Sequence, residues 1–406
     1  MSRPEGSRKV NSMILLFTIT YMVSYITRIN FGAVITEMTA QTGMTKSMLS
    51  AAVTGSAVTY GLGQLLSGYA GDRISPKRLV FLGLSVAAVM NFLILFCTSH
   101  IQLTAVWCVN GLAQAFLWPP MVKLMADMFS EHDYKRATTM VSWGSSFGTI
   151  VVYLGAPLII VLSGWRGVFA AAFLAGAVMA FVWQKCCNEP GRGEEKQREA
   201  EASGEKLSVK AVLPLVALIM MGIILQGALR DGVTTWMPSY ISETYHLGSA
   251  VSILTGVALP VFSIVSVRLA CAIYEKGKGN PVKYGGLIFG AGALSALVLT
   301  FVSGYSAVAS VLCFALLIGC MYAVNLMLIS MVPPFFQKYG KISTVSGLLN
   351  SCTYIGSALS TYGIALLSEQ AGWKTTAFVW FLIALSGTVV CLLGSHIWDR
   401  KMGQTQ

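Results

Sequence analysis

Charged residues are scarce in this chain of 406 residues. Asp, Glu, Lys and Arg together make up 11% of the sequence, whereas a soluble domain usually carries about 25%. Hydrophobic residues reach 55%. So few charges exclude the ordinary soluble classes, and the composition predicts a membrane protein.

The residues that build active sites are also scarce or poorly arranged. The chain has only 4 His, which fall near predicted loops or helix ends, and 17 acidic residues. Its 9 Cys show no metal-ligand spacing, because Cys186 and Cys187 are adjacent and the others are isolated. No nucleotide-binding loop or nucleophile–base arrangement stands out. We therefore expect no enzyme activity, no metal and no cofactor.

Long apolar runs are what the sequence has instead. A bilayer-spanning helix needs about 20 such residues, and twelve runs of about this length follow one another. They predict an all-α membrane protein with 12 transmembrane helices, at residues 13–34, 47–70, 79–98, 101–126, 137–162, 166–187, 211–240, 249–274, 283–302, 306–332, 342–367 and 373–397.

The net charge of +11 is distributed unevenly along these runs. If the chain starts in the cytoplasm and the runs alternate, 21 of the 28 Lys and Arg residues lie inside, and only Lys46, Arg166 and Lys374 lie outside. Cytoplasmic loops of membrane proteins show this excess. The charge thus predicts a multi-pass protein of the cell (plasma or inner) membrane with both termini cytoplasmic. The bilayer, and no nucleic acid, is its expected partner.

The chain divides into two similar halves. A charged, Gly- and Ser-containing segment at 188–210 predicts a cytoplasmic linker between an N-terminal half, 1–187, and a C-terminal half, 211–406. Trp165 and Trp373 open the sixth and twelfth runs and lie 208 positions apart, and Arg28 and Arg230 lie 202 apart. Two pseudo-symmetric six-helix halves with a site near the midplane are a known transporter architecture.

Arg28 and Arg230 are cations inside predicted membrane helices. Each costs about 2.5–3.5 kcal/mol at the centre of a spanning helix. A transported anion would offset that cost, although a buried ion pair within the protein is the structural alternative. Tyr21 and Tyr25 share a helix face with Arg28 at i, i+4, i+7, which suggests an anion-binding face or an aromatic packing stripe.

Asp231 directly follows Arg230 in the sequence. Neighbouring helical side chains diverge by about 100°, so we expect the two to pair poorly. Asp231 is nevertheless a candidate for coupling transport to protons.

The most specific local signal is "GYAGDRISPKR" at 68–78. Gly68 would allow close helix approach, and Asp72 can face a helix N-terminus or a basic loop partner. Together with Arg73 these residues predict a gating element. The stretch resembles the loop signature G-x-x-x-D-R-x-x-x-[KR]-[KR] of the major facilitator superfamily, and this resemblance implies the major facilitator fold.

Four further stretches resemble the organophosphate:phosphate antiporter family. They are "YMVSYITRINF", "NGLAQAFLWPPMVKLMADMF", "LRDGVTTWMPSYI" and "SGLLNSCTYIGS", and the resemblance covers most of the chain. It implies that Arg28 and Arg230 clamp a phosphate group. It also implies that Tyr21, Tyr25, Tyr60 and Tyr354 line the site.

Three positions depart from the glycerol-phosphate carriers of that family. Gln64 replaces a lysine, Phe147 replaces a histidine, and Asp231 adds a carboxylate. The site therefore carries less positive charge, which leaves the anion open and puts exchange against phosphate in doubt. Gln64 and Asn350 are interpreted equally as cargo contacts or as hydrogen-bonding links between helices.

The function predicted from the sequence is secondary transport of a small organic anion, such as a phosphorylated metabolite, by alternating access. Inorganic phosphate or a proton would be the second substrate. One alternative is a proton-coupled symporter of a carboxylate or sugar acid, with Asp231 or Glu37 as proton carrier. Another is a membrane sensor that binds such an anion without transporting it.

Overall fold

The computed structural model describes residues 5–188, 209–246, 258–277 and 279–401. Within these ranges the chain is helical, with short turns and no strand, so the all-α prediction is confirmed. The predicted linker falls almost wholly outside the described residues, which omit 189–208.

Eleven α-helices occur in this part of the chain. They are α1 (Glu5–Thr42), α2 (Lys46–Gly71), α3 (Pro76–Ile94), α4 (His100–Ala115), α5 (Trp118–Met128), α6 (Glu131–Cys186), α7 (Val209–Tyr245), α8 (Ala258–Gly277), α9 (Pro281–Val302), α10 (Ala307–Asn325) and α11 (Ile342–Lys401). A π-helical turn at Leu326–Ser330 and a 3₁₀ segment at Pro333–Tyr339 follow α10.

Two of these helices are each a pair of helices joined at one glycine. α6 has 56 residues and α11 has 60, which at 1.5 Å per residue is roughly 84 to 90 Å, far more than the roughly 30 Å bilayer core. Gly164 (φ 70°, ψ −178°) breaks α6 and Gly372 (φ 76°, ψ 171°) breaks α11. Only glycine readily adopts this backbone conformation.

With these breaks counted, every predicted apolar run falls on helical structure, apart from residues 249–257, which are outside the described part. The run 101–126 covers both α4 and α5, because Pro119 and Pro120 begin α5 rather than continue α4. Eight helical stretches of the described residues are long and apolar enough to cross a membrane by length and composition.

The chain forms two compact units. The first comprises Met1–Glu205 together with Phe336–Leu348, and the second comprises Lys206–Phe335 together with Leu349–Gln406. The start of α11 therefore belongs to the first unit and the rest of α11 to the second.

In the first unit, α1 packs along α6 and α2 along α4. An aromatic cluster of Phe31, Trp107, Trp165 and Phe169 lies in its core, with ring centroids 5.0 to 5.9 Å apart. In the second unit, α10 packs against α7, α8 and α9. Arg28 lies on α1 of the first unit, and Arg230 lies on α7 of the second.

Candidate functional site

Arg28 of α1 lies among aromatic rings. Its guanidinium carbon is 4.1 Å from the centre of the Tyr25 ring and 4.8 Å from that of Tyr60 on α2. The rings of Tyr21 and Tyr25 are 5.3 Å apart, and Trp118 of α5 lies 5.1 Å from Tyr21. The structure thus brings together the predicted residues Tyr21, Tyr25, Arg28 and Tyr60, in an arrangement that stabilises a cation through ring faces.

Small residues of α6 make room for this arrangement. A Cβ atom at Gly148 would lie 2.5 Å from the Met22 carbonyl oxygen and 2.8 Å from the Tyr25 Cβ, and one at Gly144 would lie 2.5 Å from the Thr18 carbonyl oxygen. Only glycine therefore fits where the α6 backbone contacts α1. This close packing of α6 holds the α1 backbone in place at Tyr25.

Gln64 lies on α2 four residues after Tyr60, but it is fully buried. Its Nε2 donates to the Ala115 carbonyl oxygen at the end of α4 over 3.3 Å. This geometry favours the interpretation of Gln64 as a hydrogen-bonding link between helices. Phe147, which stands where the resemblance would place a histidine, is 46% exposed on α6.

Arg230 of α7 forms an ion pair with its sequence neighbour. Its Nε lies 2.6 Å from Asp231 Oδ1 and its Nη2 lies 3.1 Å from Asp231 Oδ2. The expectation that adjacent helical residues would pair poorly is therefore wrong here. The 100° divergence applies to the Cα–Cβ bonds, whereas the long Arg side chain bends sideways and presents one edge of its guanidinium to both carboxylate oxygens.

An aromatic ring also lies beside Arg230. Its guanidinium carbon lies 5.7 Å from the Tyr322 ring centre. Gln226, one turn before Arg230, donates to the Met321 carbonyl oxygen over 3.1 Å. This bond holds α10 against α7 beside Arg230. The cargo-binding roles predicted for Tyr354 and Asn350 stay predictions.

Tyr322 and Trp118 were not predicted as site residues, because each is one aromatic residue among others in an apolar run. The half-repeat could have found them. Tyr322 lies 204 positions after Trp118, between the offsets of 202 and 208 that relate the two halves. Each contacts the arginine site of its own unit.

Two of the predicted gating residues, Gly68 and Asp72, lie against the start of α11, within the first unit. Asp72 Oδ1 and Oδ2 accept hydrogen bonds from the backbone N–H groups of Ser343 and Thr344, both over 2.8 Å. A Cβ atom at Gly68 would lie 2.7 Å from the Ser343 carbonyl oxygen. The expectation that Asp72 faces a helix N-terminus and that Gly68 permits close approach is confirmed.

Arg73 has a different environment from Asp72. Its Nη1 donates to the Tyr69 carbonyl oxygen over 3.1 Å, and its guanidinium carbon lies 3.4 Å from the Tyr69 ring centre. Arg73, in the turn after α2, therefore packs on the last turn of that helix. The gating role of the three residues stays a prediction.

Comparison with known proteins gives relatives across most of the chain. The membrane sensor protein UhpC of Salmonella typhimurium is 25% identical, covering 94% of this chain and 90% of the relative. A probable hexose phosphate transport protein of Chlamydia trachomatis is 22% identical, covering 87% and 84%. A glycerol-3-phosphate transporter of Bacillus subtilis is 24% identical over 55% of this chain and 56% of its own length. These relatives support the resemblance to the organophosphate:phosphate antiporter family.

Solved structures share the fold. The proton:xylose symporter XylE aligns with a TM-score of 0.72 at 14% identity, covering 98% of this chain and 96% of that chain. Identity this low carries information about the fold alone. It agrees with the 12-helix major facilitator fold expected from the sequence.

The Major Facilitator Superfamily profile matches residues 17–361. That range includes both arginine sites and the loop at 68–78. The family and the relatives identify a multi-pass membrane transporter protein that is not an enzyme. This chain belongs to the Major Facilitator Superfamily.

Proposed function

We propose that this chain is a secondary active transporter of a small phosphorylated metabolite and that Arg28 and Arg230 bind the anionic group of the cargo. The observation that carries the proposal is the pair of arginines inside apolar helices at matching positions of the two halves, each beside tyrosines. A membrane helix retains such a costly cation where an anion must bind.

The chemistry around Arg28 suits a phosphate group. A guanidinium can donate two parallel hydrogen bonds to phosphate oxygens, and nearby phenols can donate further ones. Tyr25 and Tyr60 stack on the guanidinium through their ring faces, and such contacts stabilise a cation without neutralising it. The names of two relatives, which refer to hexose phosphate and glycerol-3-phosphate, support the same cargo class.

Alternating access would then move the cargo across the cell membrane in exchange for inorganic phosphate. In this proposal Asp72, Gly68 and Arg73 form the cytoplasmic gate. The carboxylate of Asp72 binds the N-terminal N–H groups of α11, so breaking these bonds would release the start of α11. Both termini would lie in the cytoplasm, as the distribution of Lys and Arg indicates.

The test is uptake into proteoliposomes preloaded with inorganic phosphate, with radiolabelled glucose 6-phosphate and glycerol 3-phosphate as probes. Arg28→Ala and Arg230→Ala are each expected to reduce uptake by on the order of 100-fold, because a charge-assisted bidentate contact is lost. Arg166→Ala is the control, since Arg166 is exposed and donates to the Leu95 carbonyl oxygen. Wild-type rates in both test variants would overturn the proposal.

A second candidate is proton-coupled symport of an organic anion, and the Arg230–Asp231 pair favours it. An anion that takes over the guanidinium would leave the Asp231 carboxylate without its partner, and a carboxylate without a partner in an apolar helix gains a proton more readily. Cargo and proton would then bind together.

Proton flux separates the two candidates. Symport predicts that adding cargo drives protons into proteoliposomes without phosphate inside, and that Asp231→Asn abolishes this flux while counterflow of cargo continues. Antiport predicts uptake that requires internal phosphate. The sensor alternative, supported by the name of one relative, predicts binding of the same probes without uptake under either condition.

A further inference from the structure

Five buried polar residues, including Thr27 itself, lie at the peptide bond between Thr27 and Arg28 and form what we call the amide cluster. They come from three helices of the first unit: Thr27 and Asn30 from α1, Asn91 from α3, and Asn110 and Gln114 from α4. None is more than 1% exposed. None is part of the arginine site described above. Buried amides in a membrane helix are retained only where they form specific contacts.

The hydrogen bonds of this amide cluster converge on Thr27. Asn91 Nδ2 and Asn110 Nδ2 both donate to the Thr27 carbonyl oxygen, over 2.9 and 3.2 Å. Gln114 Nε2 donates to Thr27 Oγ1 over 2.7 Å. Thr27 Oγ1 itself donates back to the carbonyl oxygens of Val23 and Ser24. Donors from two helices therefore hold one residue of α1.

Asn91 is held firmly in this cluster. Its Nδ2 also donates to the Ala87 carbonyl oxygen over 2.9 Å, so both N–H groups are used. Its Oδ1 accepts from Asn30 Nδ2 over 2.8 Å. With every polar atom bonded, Asn91 has a fixed orientation, and its bond to the Thr27 carbonyl fixes α1 relative to α3.

α6 closes the remaining side of Thr27. A Cβ atom at Gly176 would lie 3.2 Å from the Thr27 methyl group and 3.0 Å from the Ala88 Cβ. α3, α4 and α6 all contact α1 at this residue. The next residue along the chain is Arg28, so the same contacts define where the Arg28 side chain begins.

Not every polar atom of the cluster is paired within the described residues. Asn30 Oδ1, Asn110 Oδ1 and Gln114 Oε1 are buried, and no residue described by the structure donates a hydrogen bond to them. The bonds that are made run from amide N–H groups to Thr27, so they act on the position of α1 at that residue.

We propose that Asn91, Asn110 and Gln114 are positioning residues for Arg28. They fix the α1 backbone at the Thr27–Arg28 peptide and thereby the height and direction of the guanidinium that receives the anion. Amides suit this task because they are neutral. An amide bonded to the backbone leaves the charge of the guanidinium itself unchanged. The inference rests on the proposed role of Arg28 in anion binding.

The first arm of the test does not depend on the cargo. Purified protein in detergent is modified with phenylglyoxal, and the modification rates of Arg28 and Arg230 are followed by peptide mass spectrometry. Asn91→Leu with Asn110→Leu is expected to change the Arg28 rate by at least about threefold, beyond the usual scatter between independent sites. The Arg230 rate in the same molecules is the internal control and is expected to stay constant. An unchanged Arg28 rate would overturn the proposal.

The second arm measures binding of glucose 6-phosphate, for which the apparent affinity is read from ligand-induced thermal stabilisation. Gln114→Met is expected to weaken binding by about tenfold in the wild-type background and by less than about twofold in an Arg28→Ala background, because a positioning residue acts only through Arg28. Equal losses in both backgrounds would show a merely structural role and overturn the proposal.

Two further variants keep the test valid if the leucine variants do not fold. Thr27→Val removes the oxygen that accepts from Gln114 at nearly constant shape, whereas Thr27→Ser retains it. Valine is expected to reproduce the change in the Arg28 modification rate, and serine to restore the wild-type rate. Ser295→Ala, which removes a buried bond to the Cys313 carbonyl oxygen between α9 and α10, is the matched control and is expected to leave it unchanged.

The two arms separate this inference from the proposed function. If Arg28→Ala and Arg230→Ala both retain wild-type uptake, the proposed function fails, yet the modification rates still decide whether the amide cluster positions Arg28. If Arg28→Ala loses uptake while the leucine and valine variants leave the Arg28 rate unchanged, the positioning inference alone fails.

Discussion

Arg28 on α1 and Arg230 on α7 have the same side chain in different surroundings. On α1, neutral amides bond to the backbone beside the arginine, and tyrosine rings cover the guanidinium. On α7, the carboxylate of Asp231 bonds the guanidinium itself at two points. The two arginines occupy matching places in the sequence repeat, yet the amides bond to the backbone beside Arg28, whereas the carboxylate bonds to the guanidinium of Arg230.

This difference indicates that the two arginines would meet an anion at different cost. An anion approaching Arg230 competes with a carboxylate already bound to two guanidinium nitrogens, whereas the amides beside Arg28 bond to the backbone and do not compete. Under the proposed function, the α7 site is therefore the one that we propose for coupling to a second ion.

The largest effect is expected when each arginine is removed in turn, which tests the contrast between the two sites directly. Arg230→Ala leaves the Asp231 carboxylate without its partner, and losing one member of a buried pair costs about 3–5 kcal/mol. The side chains retain 17% and 27% exposure, so we expect the lower end of that range. Arg28→Ala is expected to cost less. The measurement is thermal unfolding of the detergent-purified protein.

A compensating variant serves as the control for this prediction. Arg230→Ala combined with Asp231→Ala removes both charges and is expected to recover most of the lost stability. A larger loss from Arg28→Ala than from Arg230→Ala would contradict the contrast between the two sites.

The next largest effect concerns a feature that both halves share, the glycine break within a long helix. Gly164→Ala and Gly372→Ala are each expected to cost about 1–3 kcal/mol, because alanine is strained in this backbone region. A Cβ atom meets no closer neighbour than 3.8 Å at Gly164 and none within 4 Å at Gly372, so the backbone conformation alone determines the cost. Thermal unfolding again provides the measurement.

The halves also supply matched controls. Gly155 and Gly363 lie nine residues before the two breaks, again 208 positions apart, and a Cβ atom at either meets nothing within 4 Å. Both lie in helical stretches, where alanine is favoured over glycine by about 1 kcal/mol. Alanine is therefore expected to stabilise at these positions, and unequal costs at Gly164 and Gly372 would argue against a common construction of the halves.

The smallest effect concerns the aromatic rings beside each arginine. Tyr60→Leu removes a ring 4.8 Å from the Arg28 guanidinium and is expected to weaken binding of glucose 6-phosphate about fivefold, or roughly 1 kcal/mol. Tyr322→Leu is expected to do less, since its ring is 5.7 Å away and Asp231 also holds Arg230. Binding is measured by ligand-induced thermal stabilisation. Tyr60→Phe keeps the ring and removes only the hydroxyl, so it separates the ring contact from hydrogen bonding by the phenol, and a greater loss from Tyr322→Leu would reverse the expected order.

Much of the fold could be predicted from the sequence, because apolar length and charge placement report directly on bilayer crossing. The spacing of Tyr21, Tyr25 and Arg28 also predicted their common face, since helical periodicity fixes it. The pairing of Arg230 with Asp231 could not be predicted from helical periodicity. Spacing describes where a side chain begins, and a long guanidinium reaches well beyond that point.

The amide cluster was also beyond sequence reasoning. Asn91 and Asn110 lie in two different apolar runs, and nothing in the spacing between them indicates a common partner. Their partner is the backbone carbonyl of Thr27, and every residue has such a carbonyl. Only the packing of α3 and α4 against α1 selects this one.

The breaks at Gly164 and Gly372 bear on how the two halves arose. A tryptophan follows each glycine, and the two pairs of backbone angles, at an offset of 208, agree closely. Because only glycine readily adopts that conformation, mutation could alter the neighbouring side chains while the glycine itself could not be replaced without damage. An ancient internal duplication of a six-helix ancestor would leave this kind of trace, because the two halves would keep the same backbone conformation at matching positions while most of their side chains changed.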